Sequence, residues 1–111
     1  MRFLFIISHD DAFAPTPQLI AEIGTWTKKR RAEGVLIDSN PLKPASEATT
    51  VRVRNKQTQR KPGPFSRSRE QMCAYVLIEA KNHEEAVSIA SSHPMASAAT
   101  IEVRPVWQDL R

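Results

Sequence analysis

Five consecutive apolar residues, Phe3-Leu4-Phe5-Ile6-Ile7, constrain the fold of this chain more than any other segment. A β-strand sends alternate side chains to opposite faces, so Phe3, Phe5 and Ile7 share one face and Leu4 and Ile6 the other. Both faces need a cover. Residues 72–79 pose the same problem, with Cys73, Tyr75 and Leu77 on one side and Ala74, Val76 and Ile78 on the other. A sheet built on these strands has to be packed against something on each side.

Helix signals supply one of the two covers. Thr16 followed by Pro17 gives an N-cap and a preferred first helical residue, and Leu19, Ile20, Ile23 and Trp26 then recur at helical spacing. Cationic residues 28–31 suit the negative end of the helix dipole, and Gly34 ends the element. Asn82 with Glu85 starts a second helix through a capping box, Ala86, Ile89, Ala90 and His93 share its inner face, and Pro94 stops it.

The remaining segments read as extended chain. Residues 35–38 form a short strand, and Pro41 and Pro44 impose an extended connection after it. Residues 49–54 alternate, with Thr49, Val51 and Val53 opposite Thr50, Arg52 and Arg54. Residues 56–61 are polar and aperiodic, and Pro62-Gly63-Pro64 is turn chemistry, which predicts a loop or an irregular hairpin tip. Residues 100–106 close the chain as a strand with Ile101 and Val103 inward. The order is β-α-β-β-β-α-β. It implies an α+β protein, with a ferredoxin-like antiparallel sheet, two helices on one face and an inserted hairpin strand. The 111 residues suit a single domain. Two helices cover only one face, so the apolar residues left over, assigned here to Leu4, Ile6, Val76 and Ile78, predict a homodimer formed through the sheets.

Charge is distributed unevenly. Residues 52–69 hold seven of the sixteen Lys and Arg residues and none of the twelve Asp and Glu, so the formal excess of +4 is local to that segment. Such a field favours anionic ligands. Phe65 is the only aromatic residue among those cations, and no recognition motif accompanies it, so a nucleic-acid partner is not expected. The first apolar run is too short for a signal-peptide core or a membrane span, and the chain reads as cytoplasmic with no membrane partner. The lone Cys73 in an apolar run reads as a buried thiol.

No phosphate-binding loop, nucleophile elbow, zinc spacing or dinucleotide fingerprint is present, so no metal or cofactor is assigned and no reaction identified. His93 is the candidate ionisable centre, because a histidine at a helix end exchanges protons near neutral pH, and Glu22 on the first helix is the carboxylate placed to orient it. Tyr75, Arg52 and Arg104, on strands, are candidate walls for a small anionic ligand. The His9-Asp10-Asp11 run reads as a solvated turn, since contiguous ligands on a strand end diverge.

The segments Gly34-Val35-Leu36, Leu42-Lys43-Pro44, Thr50-Val51-Arg52 and Gly63-Pro64-Phe65, then Glu70, Tyr75, Ala86 and Ala90, and finally Glu102-Val103-Arg104-Pro105-Val106, resemble the YCII-related proteins of bacteria. The branch is the one named for an Asp-Gly-Pro-Phe (DGPF) motif. The resemblance spans nearly the whole chain and implies a dimeric α+β barrel of ferredoxin-like subunits with largely unassigned activity. A small-molecule-binding protein or enzyme with a pocket near His93 is the leading expectation. A non-enzymatic regulator is the alternative, and a nucleic-acid module using residues 52–69 comes third. Pro62 stands where the branch has Asp, so the loop has to be held differently. Some relatives pair a His on the first helix with an acid just before a Pro after the second helix. Here the first helix has no His, and the residue before Pro94 is His93.

The basic segment generates a test. Association with a duplex oligonucleotide is expected to be weak, non-saturating and lost by about 150 mM salt, because phosphate contacts are screened and traded against counterions. A tight complex at that salt concentration contradicts this reading.

Overall fold

The computed structural model describes residues 1–108. The elements run β1 (Arg2–His9), α1 (Pro17–Ala32), β2 (Leu36–Pro41), β3 (Thr49–Arg54), β4 (Gln57–Pro62), β5 (Gln71–Glu79), α2 (His83–Ser91) and β6 (Thr100–Pro105), with short 3-10 turns at Ala45–Glu47 and Pro94–Ala96. Four strands form one antiparallel sheet in the order β2-β5-β1-β6, and β3 and β4 pair separately. With two helices and this strand order, the main sheet has the ferredoxin-like arrangement.

Capping chemistry sets both helices. The Thr16 hydroxyl accepts from the Leu19 N–H at 3.1 Å, and the Asn82 side chain accepts from the Glu85 N–H at 2.8 Å. At the end of α1 the chain turns through Gly34 at φ 76°, a conformation that glycine adopts without a Cβ penalty. Leu19 and Ile23 pack against the core and Trp26 is buried, whereas Ile20 points outward.

Pairing register decides which apolar residues meet. Phe3 lies opposite Ile78 and Phe5 opposite Val76, and residues opposite one another in a ladder share a face. These four join Ile7, Trp26, Leu36, Ala86, Ile89, Ala90 and Met95 in one buried cluster, so both helices lie on the same side of the sheet. Val76 and Ile78 therefore belong to the helix-covered face. That corrects their assignment to the uncovered one. The open face carries Leu4 opposite Leu77 and Ile6 opposite Tyr75, all four partly exposed. Its margins are polar: Asp38 and Asn40 on β2, Glu102 and Arg104 on β6.

A β-bulge interrupts β5. Ile7 pairs with Ala74 but Ser8 with Met72, so Cys73 is the extra residue. Cys73 packs against the core, and burial raises its thiol pKa, which keeps it protonated.

The segment expected as loop is a strand. Asn55 and Lys56 both have positive φ, 51° and 64°, the geometry of a two-residue hairpin turn whose twist matches its strands. Beyond that turn, β4 pairs with β3 over six residues. Every residue from Val51 to Pro62 is exposed, so packing left no mark on the β4 sequence for a periodicity argument to find. Pro62 ends the ladder opposite Thr49, the Gly63 N–H donates to the Ala48 carbonyl at 2.7 Å, and the Thr50 hydroxyl donates to the Gly63 carbonyl at 2.9 Å. Backbone and threonine thus hold the base of this hairpin with no carboxylate at position 62. The molecule is flat, 47 × 39 × 20 Å. Its radius of gyration is 15.9 Å, against about 13 Å for a compact chain of this length.

Replacing Asn82 by Ala removes the α2 cap and is expected to cost about 1 kcal/mol. A urea denaturation should show a lower midpoint with an unchanged slope.

Candidate functional site

His93 sits just beyond α2, whose helical residues end at Ser91. It caps the following 3-10 turn, its Nδ1 accepting from the Met95 N–H at 3.0 Å. Its ring meets Trp26 edge-on at 4.6 Å, and only 4% of the residue is exposed. The Trp26 indole N–H and the Arg30 guanidinium both donate to the Ser92 hydroxyl, at 2.9 and 3.0 Å. This cluster docks α1 onto the end of α2. Burial lowers the His93 pKa from 6.5 to about 4, and the acceptor role of Nδ1 also requires the neutral ring, with its proton on Nε2.

The other anticipated residues are dispersed. Glu22 accepts from the Gln18 side chain on the exposed side of α1, and no hydrogen bond or ion pair joins it to His93 among the described residues. Tyr75 is committed to the β2 edge: its hydroxyl donates to Asp38 Oδ2 and accepts from Asn40 Nδ2, both at 2.8 Å. Arg104 pairs with Glu102 at the far margin of the open face. Arg52 lies on the separate hairpin.

A different group converges where β1 ends. A cavity of about 360 Å³ is lined by His9 and Asp11 from the end of β1, Lys43 and Pro44 from the β2–β3 connection, and Arg69 and Cys73 from the approach to β5 and its bulge. A wider cleft of about 590 Å³ adjoins it and shares Leu42, Lys43, Pro44, Gln71 and Met72. The wider cleft runs to the hairpin base at Thr49, Val51 and Phe65, and Met72, opposite Ser8, brings it onto the open face of the sheet.

Local bonds build this corner. The His9 ring stacks on Phe13 at 4.6 Å, and its Nδ1 lies 2.9 Å from the Asp10 carbonyl. A carbonyl oxygen only accepts, so Nδ1 carries the proton and Nε2 is the acceptor of the neutral ring. The Gln71 amide donates to the Ser66 and Ser68 carbonyls at 3.0 and 2.8 Å, which fixes the loop bearing Arg69. Among the described residues, Arg69 and Asp11 form no ion pair, and Lys43 only a long one of 3.9 Å to Glu47. The cavity thus presents a fork-shaped cation, a second cation and a carboxylate, none with a strong ion-pair partner among the described residues, together with an imidazole anchored through Nδ1. That set suits a small molecule bearing a carboxylate or phosphate together with a hydrogen-bond donor. His9-Asp10-Asp11 was visible in the sequence. The convergence of Arg69 and Lys43 on it depends on the bulge and on contacts far apart in the chain.

The described residues contain no group of three or more His, Cys, Asp and Glu placed to hold a metal, and no helix among them is long and apolar enough to cross a membrane. The sequence model of the YCII-related domain matches residues 1–109. No curated protein matches the chain.

The depressed pKa of His93 sets a pH dependence. Between about 4 and 6.5 the unfolded chain binds a proton at this residue that the folded chain excludes. The stability from neutral His93 is therefore fully present above pH 6.5 and is lost as pH falls through that window. Urea midpoints measured from pH 7 to pH 4 should decline for the wild type, and the part of that slope owed to His93 should vanish in His93→Gln.

Proposed function

The chain belongs to the YCII-related domain family, and on that premise we propose that it is a homodimeric binding protein for a small anionic molecule, held in the cleft at the end of β1. The observation that carries this reading is the approach of His9, Asp11, Lys43 and Arg69 around a cavity of about 360 Å³ beside a bulged strand. Cavities of a few hundred cubic ångströms with a few convergent polar groups are the usual form of small-ligand sites, and bulges recur beside functional sites because they re-aim side chains. Arg69 and Lys43 supply the cationic end of the site. His9 Nε2 accepts a hydrogen bond or a proton from the ligand, which leaves acid–base chemistry open to the same residues.

Dimerisation is supported by the open face. Leu4, Ile6, Tyr75 and Leu77 form a partly exposed apolar strip at the centre of the sheet, and a second copy packed on it buries a surface that water otherwise contacts. Gly63-Pro64-Phe65, at the foot of an inserted hairpin, supports placing the chain in the DGPF branch, with Pro62 replacing the acid, and the paired sheets then make the dimeric α+β barrel.

Sedimentation at about 10 µM is expected to show a dimer, a concentration at which an interface of standard size is occupied. Titration with inorganic phosphate and with citrate, followed by NMR, should shift the resonances of His9, Lys43, Arg69 and Cys73 while leaving His93 unmoved. Arg69→Gln should weaken that binding about tenfold or more, the scale of a charge-assisted hydrogen bond. A stable monomer, or anion-dependent shifts confined to other residues, would falsify the reading.

A further inference from the structure

The β3–β4 hairpin stands away from the body of the protein and has two chemically different faces. Val51 and Val53 are 59% and 56% exposed, and they share their face with Arg60 and Thr58 opposite them. The other face holds Arg52 and Arg54, with Gln59 and Gln57 opposite, and Lys61 beside them opposite Thr50. A free two-stranded hairpin is marginal in water at best. Among the described residues, hydrogen bonds tie this one to the body only through its base, at Ala48, Thr50 and Gly63.

Charge identifies what the hairpin fits. Residues 52–69 carry seven cations and no acid, which leaves nine cations against twelve acids in the rest of the chain. On its valine face the hairpin itself presents one of these cations, Arg60, so its complement is an apolar surface with an acidic group at the edge. On the open sheet face the apolar centre of Leu4, Ile6 and Leu77 is bordered on one side by Asp38 and on the other by Glu102, which Arg104 neutralises. Asp38 and Arg60 are both exposed, and neither has an ion-pair partner among the described residues. An apolar strip with one carboxylate, Asp38, at its edge matches a valine face with an arginine beside it.

We propose that the hairpin is a clasp for a second copy of this chain: its Val51–Val53 face lies against the β2 margin of the partner's open sheet face, beside the paired sheets, with Arg60 towards Asp38. The clasp deepens the dimeric ligand-binding reading above and rests on it. Because Thr49, Val51 and Phe65 also line the wider cleft, the docked copy closes a cleft that one chain leaves open to solvent. The outward face of the hairpin, with Arg52, Arg54 and Lys61, has no part in the clasp.

The two faces provide the test and its control. Val51→Thr combined with Val53→Thr keeps the β-branched shape and the strand preference while putting a hydroxyl where a methyl packs. It is expected to raise the dimer dissociation constant about tenfold or more. Arg52→Gln combined with Arg54→Gln, on the opposite face, should leave it within about threefold, as expected of charges outside a contact. Sedimentation equilibrium reads both, and circular dichroism confirms that each variant is folded. A wild-type dimer that the threonine pair leaves unchanged overturns the clasp while the ligand-binding dimer stands. A wild-type monomer sinks the dimer and the clasp together. A hairpin that instead binds an oligonucleotide tightly at about 150 mM salt through Arg52 and Arg54 also overturns the clasp.

Discussion

The antiparallel pairing of β1 with β5 is the contact on which the rest of this structure depends. It places Phe3 and Phe5 beside Ile78 and Val76, and so concentrates the large apolar side chains on the face that α1 and α2 cover. A slip of one residue would turn Leu4 and Ile6 to the helices and expose two phenylalanines, so burial enforces the register strongly. The same pairing leaves Leu4, Ile6, Tyr75 and Leu77 together on the other side. Core and open face are thus two outcomes of one register.

Local features of this fold were legible where one short segment contains all the chemistry. Thr16-Pro17 and Asn82 with Glu85 announce both helices because a cap is an interaction within four residues. Register is different. The alternation in β5 shows that Val76 and Ile78 share a face but not which face the helices cover, because that depends on a partner strand about seventy residues away. The strand β4 escaped because its six residues, Gln-Thr-Gln-Arg-Lys-Pro, bury nothing and its turn lacks the usual glycine. Helical spacing set His93 on α2, whereas the helix stops sooner, where the Ser92 hydroxyl donates to the Ile89 carbonyl.

The histidines His93 and His9 occupy opposite environments. His93 is sealed against Trp26, accepts a hydrogen bond at Nδ1 and stays neutral because burial penalises its charged form. Its role in the geometry is to hold α1 on the end of α2. His9 is only partly buried and faces a cavity with its Nε2 as acceptor. A neutral ring with a pKa near 4 makes a poor proton acceptor near neutral pH, whereas an imidazole beside two cations and a carboxylate has both access and polar company. Proton exchange with a ligand thus suits His9 and not His93.

Position in the sheet explains why the cavity lies where it does. The strand β1 is flanked by β5 and β6, and beyond Ser8 its pairing with β6 ends while the bulge at Cys73 has already displaced β5 by one residue. The ladder can no longer satisfy the chain there, so His9 and the Asp10 carbonyl bond locally, Gln71 turns to the Ser66 and Ser68 carbonyls, and the side chains of Asp11, Lys43 and Arg69 are left without strong partners. A sheet that ended cleanly would have used those polar groups on itself. The irregularity that weakens the pairing is therefore what leaves a charged, concave corner beside the open apolar strip.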